Sequence, residues 1–159
     1  MIYKTEDILE EEGLSFEGPL PEVPGLGEDL AAGDSAALAG PPWTQFEISV
    51  GSKELLLVGS VKVKLKLNCG RCADKFEQEF NQDFEETFPL TQVEINVAEE
   101  IRQAVILTLP DKPLCRGNCL GLCPICGANR NTKACGCRQI NPTPFGKLKD
   151  IIKEREGER

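Results

Sequence analysis

The chain has 159 residues, a length that suits one domain or one domain with a small appendage, and carries 26 acidic against 18 basic side chains. It contains eight cysteines and no histidine. The lack of histidine excludes Ser-His and Cys-His nucleophile pairs and every metal site that needs an imidazole. Any metal site in this chain therefore uses thiolates or carboxylates.

The net charge of -8 is unevenly distributed along the chain. Residues 1–50 hold eleven acidic side chains and one basic one, whereas residues 101–159 hold five acidic and eleven basic ones. The segment 112–149 has seven basic side chains and no acidic one. This polarity suits a basic surface that contacts RNA phosphates, and equally a solvated surface that balances the acidic body or the charge of metal-bound thiolates.

The first residues contain no apolar run as long as that of a signal peptide, and about 18 apolar residues in succession occur nowhere. We therefore expect a cytoplasmic protein with no membrane partner. In a reducing compartment, eight cysteines indicate metal or redox chemistry rather than structural disulfides.

The N-terminal part predicts two short elements followed by a loop. A helix over residues 5–12, with Thr5 as its N-cap, and a strand that begins at Leu14 make up residues 1–17. In residues 18–42, 15 of the 25 side chains are Gly, Pro or Ala. So few bulky apolar side chains predict a flexible surface loop that contributes no core element.

Residues 43–111 predict a β-rich core. Residues 43–50 form one strand, and residues 53–67 alternate as a second strand that we expect to be interrupted at Gly59. The spacing of the phenylalanines over residues 76–88 suits a helix or a strand, and cross-strand pairing favours a strand. In that hairpin we expect four facing pairs: Leu65 with Phe76, Val61 with Phe80, Lys64 with Glu77, and Lys62 with Glu79.

A helix is predicted over residues 97–109, with Val97, Ile101, Val105 and Ile106 on one apolar stripe. Residues 144–159 predict a weaker amphipathic helix. The expected fold is α+β, a small antiparallel β sheet or partly open barrel with one packing helix. A zinc-ribbon-like, metal-stapled segment follows it at residues 112–143.

The cysteines occur in four closely spaced pairs, each able to supply half of a tetrahedral site, so the sequence predicts two structural zinc ions. Four pairs can be matched in three ways. A short closing loop favours a local site made of Cys123, Cys126, Cys135 and Cys137. The other site, which would tie the hairpin tip to the segment after the helix, would be made of Cys69, Cys72, Cys115 and Cys119.

Two other interpretations of the cysteines carry less weight. Cys119, Cys123 and Cys126 have the spacing of a [4Fe–4S] radical enzyme, but the chain is far too short for the barrel of such enzymes. A redox Cys-x-x-Cys motif is expected at a helix start in a βαβ unit, which the sequence does not predict. With four thiolates per ion no coordination position stays open, so we expect no enzyme activity.

The sequence contains an alternating stretch, Val61–Cys72, a cysteine-rich run, Pro113–Asn129, and the motif Cys135-Gly-Cys137. Together these three features resemble the YceD family, over residues 43–152. The family consists of bacterial and plastid proteins associated with accumulation of the 23S rRNA. The resemblance implies a non-catalytic role in ribosome biogenesis, through the synthesis, processing or stability of this RNA.

The expected partners are 23S rRNA or its precursor and a basic large-subunit ribosomal protein, because the family is typically encoded beside one. The basic side chains assigned to RNA contact are Arg116, Arg130, Lys133, Arg138, Lys147 and Lys149. Two alternatives stay open: a zinc-stapled adaptor that binds only protein, and an RNA-processing enzyme, for which we find no catalytic constellation.

Overall fold

The computed structural model describes residues 1–32 and 36–137. The chain divides into two compact units, Met1–Cys119 and Leu120–Arg159. The first unit includes Cys115 and Cys119, which lie beside Cys69 and Cys72. The helix predicted over 144–159 lies outside the described residues. Within the described ranges, no helix is long and apolar enough to cross a membrane.

The first unit is α+β, as predicted. Its strands are β1 (Ile2–Lys4), β2 (Gly13–Pro19), β3 (Ala36–Leu38), β4 (Trp43–Val50), β5 (Glu54–Asn68), β6 (Lys75–Pro89) and β7 (Glu94–Asn96). Its helices are α1 (Thr5–Glu10), α2 (Leu26–Ala32) and α3 (Val97–Leu107). Within the described residues, α1 and α3 correspond to predicted helices, whereas α2 was not predicted.

β5 organises the main antiparallel sheet. β6 pairs with its whole length on one edge, while β4 and β3 pair with successive parts of the other edge. β2 pairs with the far side of β4, and β1 with β7 forms a separate two-stranded sheet. The five-stranded sheet curls into a half-barrel.

The core lies on the inner face of this sheet, where the period-two alternation of β5 places its aliphatic side chains. Val61 and Leu65 are fully buried there, while the intervening lysines are exposed. α3 contributes a buried stripe at Val97, Ile101 and Val105, as its sequence predicts.

The hairpin of β5 and β6 forms as predicted, but its register differs by two residues. Lys64 faces Glu79 instead of Glu77, and Val63 faces Phe80. A shift of two residues leaves every side chain on its predicted face, because the strand period is two. Lys64 still reaches Glu77 diagonally, with Nζ 2.8 Å from Oε2.

β5 continues without interruption through Gly59, contrary to expectation. Gly59 faces Phe46 of β4 and Phe84 of β6. A Cβ atom built here would lie 2.6 Å from Phe84 Cζ and 2.7 Å from the Gln45 carbonyl oxygen. The glycine therefore admits a neighbouring aromatic ring over the strand and does not break the strand.

Residues 18–42 contribute to the core, and the prediction of a flexible loop is wrong. Leu26 and Leu30 of α2 are 0% and 2% exposed. Asp29 of the same helix forms an ion pair with Arg102 of α3. The count of small residues gave no sign of this helix. The i, i+4 spacing of its two leucines, typical of a buried helical stripe, is the signal that the count overlooks.

Thr5 does not cap α1. Lys4 is the N-cap residue, and Thr5 is the first residue of the helix. The buried Thr5 hydroxyl donates to the carbonyl of Gln92, 2.5 Å away, in the connection between β6 and β7. This threonine therefore joins two distant segments of the chain.

Candidate metal centres

Four cysteines of the first unit converge at the tip of the β5–β6 hairpin. Cys69 and Cys72 come from the hairpin turn, and Cys115 and Cys119 come from the segment after α3. Their sulfurs all lie within 4.8 Å of one another. Cys69 Sγ is 3.8 Å from Cys119 Sγ, and Cys72 Sγ is 3.7 Å from Cys115 Sγ.

These distances fit a single tetrahedral ion. Zinc–sulfur bonds of about 2.3 Å in a tetrahedron place two sulfurs about 3.8 Å apart. A disulfide requires a separation of about 2.05 Å, and all eight cysteines are free thiols. Four sulfur donors with no oxygen donor suit a soft or borderline ion such as zinc and exclude magnesium and calcium.

The second unit gathers its own four cysteines, Cys123, Cys126, Cys135 and Cys137, again within 4.8 Å. Three of them line a cleft of 270 Å³ with Pro124 and Arg130. The eight cysteines thus form the two predicted groups. Cys119 lies in a different group from Cys123 and Cys126, which contradicts the [4Fe–4S] interpretation.

The two Cys-x-x-Cys turns share one backbone arrangement. In the first turn, Ala73 N–H donates to the Cys69 carbonyl at 2.9 Å, and Cys69 N–H donates to the carbonyl of Asp74, also at 2.9 Å. Gly127 and Cys123 repeat both hydrogen bonds in the second turn, each at 2.8 Å. Each turn therefore presents its pair of thiols in the same way.

Backbone N–H groups activate the first thiol of each turn. The N–H groups of Cys126 and Ile125 lower the pKa of Cys123 to about 6. Burial raises the pKa of Cys69, but N–H groups from Cys115 and from its own turn outweigh burial and bring it to about 6. A thiolate is the metal-binding form of cysteine, so each site begins with one ligand ready at neutral pH.

Sequence reasoning missed three residues that hold the first turn. Gly70 N–H donates to the Pro113 carbonyl at 2.8 Å, and Arg71 Nη1 donates to the Cys119 carbonyl at 3.0 Å. Ala73 adopts a φ of 60°, close to the 71° of Gly127. Ala73 and Gly127 both follow the second cysteine of their turn. This correspondence between the two motifs is the sequence signal for the positive φ of Ala73.

Gly127→Ala is expected to weaken metal binding at the second site by about tenfold, because a left-handed backbone costs an L-residue roughly 1–2 kcal/mol. Competition against a chromophoric chelator measures this change. The control is Gly136→Ala, since a Cβ meets nothing within 4 Å at either glycine and only Gly127 has a positive φ. Equal affinities for the two variants would contradict the assigned role of Gly127.

The basic side chains predicted to contact RNA lie in both units. Arg116 of the first unit and Arg130 and Lys133 of the second are exposed. Arg138, Lys147 and Lys149 lie outside the described residues.

The large aliphatic side chains of residues 112–137 are mostly at the surface. Leu120 and Ile125 are each 58% exposed, and Leu122 is also exposed, while Leu114 packs against the first cysteine group. Among the described cysteines of the second unit, Cys123 is buried, Cys135 and Cys137 are half-buried and Cys126 is exposed.

The fold and the two centres define a class: a small α+β protein with two separate four-cysteine groups, each able to hold a metal ion. The family model of the large ribosomal RNA subunit accumulation protein YceD matches residues 85–152. The predicted resemblance to the YceD family is thereby confirmed over residues 85–152.

Two curated relatives are similar to the chain. Both are named large ribosomal RNA subunit accumulation protein YCED homolog 1, chloroplastic. The Zea mays protein is 35% identical over 83 residues, which are 52% of this chain and 28% of that protein. The Arabidopsis thaliana protein is 33% identical over 76 residues, 45% of this chain and 24% of that protein. The chain thus spans about a quarter of the length of these relatives, and no solved structure matches it.

Proposed function

We propose that this chain is a non-catalytic ribosome biogenesis factor that supports accumulation of the 23S rRNA. The match of residues 85–152 to the YceD family carries the proposal. This range contains all four cysteines of the second centre and two of the first. The names of the two plant relatives point to the same process.

Zinc is the ion we assign to both centres. The sulfur separations and the all-thiolate donor sets support this assignment. Four thiolates leave no position for water or substrate, so the role is structural. We propose a cytoplasmic location, because a reducing compartment keeps eight thiols available for metal binding.

We assign RNA contact to the basic C-terminal part. Arg130 and Lys133 are exposed, and residues 120–137 contain no acidic side chain. Four thiolates on one divalent ion carry a charge of about -2, so two ions offset about four of the seven basic side chains in residues 112–149. The segment keeps a positive charge with both ions bound, and Arg130 and Lys133 attract the phosphates of 23S rRNA or its precursor.

Arg130→Ala combined with Lys133→Ala is expected to weaken binding to a 23S rRNA fragment and to lower the salt slope of log affinity by about 2. Fluorescence anisotropy from low to physiological salt measures the slope. Zinc content is measured in parallel, because Arg130 borders the cysteine cleft. The control, Lys53→Ala with Lys75→Ala, removes two exposed lysines from the first unit. Absent or salt-insensitive binding by the parent protein would overturn the assignment.

The second candidate is an adaptor that binds a basic ribosomal protein without contacting RNA. The acidic surface of the first unit favours it, since Glu77, Glu79, Asp83 and Glu85 are all exposed on β6. Co-purification with a large-subunit ribosomal protein, in the absence of any RNA shift, would favour the adaptor over the RNA-binding factor.

A further inference from the structure

β6 leaves one long edge of the main sheet open. It runs for 15 residues, and within the described ranges it pairs only with β5. An edge strand offers a row of backbone donors and acceptors on which another extended chain can pair. The other edge strands of the described sheet, β2 and β3, are shorter, and β2 ends at Pro19.

Two local hydrogen bonds show which backbone groups face the open edge. The Thr87 N–H donates to the side chain of Glu86 at 3.1 Å, and the Asp83 carbonyl accepts from the side chain of Gln82 at 3.0 Å. In an antiparallel pair, alternate residues turn both backbone groups away from the partner strand. The register is continuous, so the odd-numbered residues of β6 present their backbone groups to the edge.

The side chains of β6 form two different rows along this edge. Phe76, Phe80 and Phe84 lie on the inner face and are only half-buried. The outer row, called the acidic row below, contains the exposed acidic side chains Glu77, Glu79, Asp83 and Glu85, with the uncharged Asn81 and Thr87 between or beside them and Lys75 at its start. On β5, Asp83 faces Ser60 and Glu85 faces Val58, so neither has a cation directly opposite.

We propose that the open edge of β6 binds an extended segment of a basic partner protein as an additional strand. Lys or Arg at alternate positions of that segment would face the acidic row, and apolar side chains between them would extend the phenylalanine row. β5 satisfies the same pattern on the other edge, with Val61, Val63 and Leu65 alternating with lysines. A second copy of β6 does not fit, because two acidic rows would face each other.

The proposal goes beyond the proposed function, since it requires neither RNA nor the second unit. The probe is a synthetic peptide with the alternating pattern of β5, Val-Lys-Val-Lys-Leu-Lys-Leu, added to the full metal-loaded chain. A peptide of identical composition with its lysines and its apolar residues in two separate blocks is the control. Anisotropy measures affinity, and hydrogen exchange reports on individual amides of β6.

The alternating peptide is expected to bind about tenfold more tightly than the blocked one, and to slow exchange at the amides of Glu79, Asn81 and Asp83. Two N-methylated versions of the peptide are compared, one methylated at the even amides and one at the odd amides. Methylation of the set that faces β6 is expected to abolish binding, and methylation of the other set is expected to preserve it. Equal binding of both peptides, or unchanged exchange in β6, would overturn the proposal.

Asp83→Lys combined with Glu85→Lys is expected to weaken binding of the alternating peptide by about tenfold or more. The matched control is Glu17→Lys with Glu47→Lys, which makes the same change in net charge on β2 and β4. Equal losses in both variants would indicate attraction to the overall charge and would overturn the strand-pairing proposal. Binding of a 23S rRNA fragment tests the proposed function separately, and RNA that protects β6 in place of the peptide would also contradict the proposal.

Discussion

Cys72→Ala is expected to release one of two bound metal ions and to lower the free energy of unfolding of the first unit by more than about 4 kcal/mol. Cys72 is buried, and its sulfur lies 3.7 Å from that of Cys115. Without it, three thiols stay at the hairpin tip, and the closed four-thiolate site cannot form. Mass spectrometry under native conditions counts the ions, and denaturant titration measures stability.

Cys126→Ala is the matched variant, because Cys126 occupies the corresponding position of the second turn. It is expected to release one ion and to leave the unfolding of the first unit unchanged, since its group lies entirely within residues 120–137. A protein that keeps both ions after Cys72→Ala would refute the grouping of the eight cysteines. A loss of both ions in either single variant would refute the independence of the two sites.

Leu26→Ala is expected to destabilise the protein by about 2–5 kcal/mol, the usual cost of truncating a fully buried leucine. Leu26 is 0% exposed at the start of α2, within the segment whose composition suggests a loop. The cost combines the lost transfer of the side chain from water with the cavity left in a core that relaxes only partly. The midpoint of urea unfolding, with its slope checked for constancy, measures the change.

Leu107→Ala serves as the control, since Leu107 is 80% exposed at the end of α3. Its truncation is expected to change stability by less than about 0.5 kcal/mol. Equal effects of the two substitutions would mean that α2 is not part of the cooperative core.

The four longer strands and the cysteine pairs were predictable from the sequence because their signals are local, whereas the three-residue strands β1, β3 and β7 were not predicted. Period-two alternation specifies β4 and β5, and the close spacing of each cysteine pair specifies half a site. The sequence did not reveal that α2 packs on α3, where Arg102 pairs with Asp29, 73 positions away. Contacts between residues so far apart in sequence produce no periodic pattern in the sequence.

The hairpin register is a second feature that the sequence alone did not determine. Two registers that differ by two residues both place apolar side chains against phenylalanine and lysine against glutamate, so facing pairs alone do not separate them. Gly59 distinguishes them, because only the observed register places the Phe84 ring over a residue without a side chain. Because a strand break was predicted at Gly59, this residue was not used to separate the two registers.

The turn at the hairpin tip also determines which of the two registers forms. Cys69 N–H bonds to the carbonyl of Asp74, and the ladder begins at the next pair, Asn68 with Lys75. The geometry that gathers the thiols at one end therefore sets the alignment of both strands as far as Pro89. In a register slipped by two residues, Cys69 would face Cys72 and its hydrogen bond to Asp74 would be lost, so a metal ion that required this turn would also favour the native alignment.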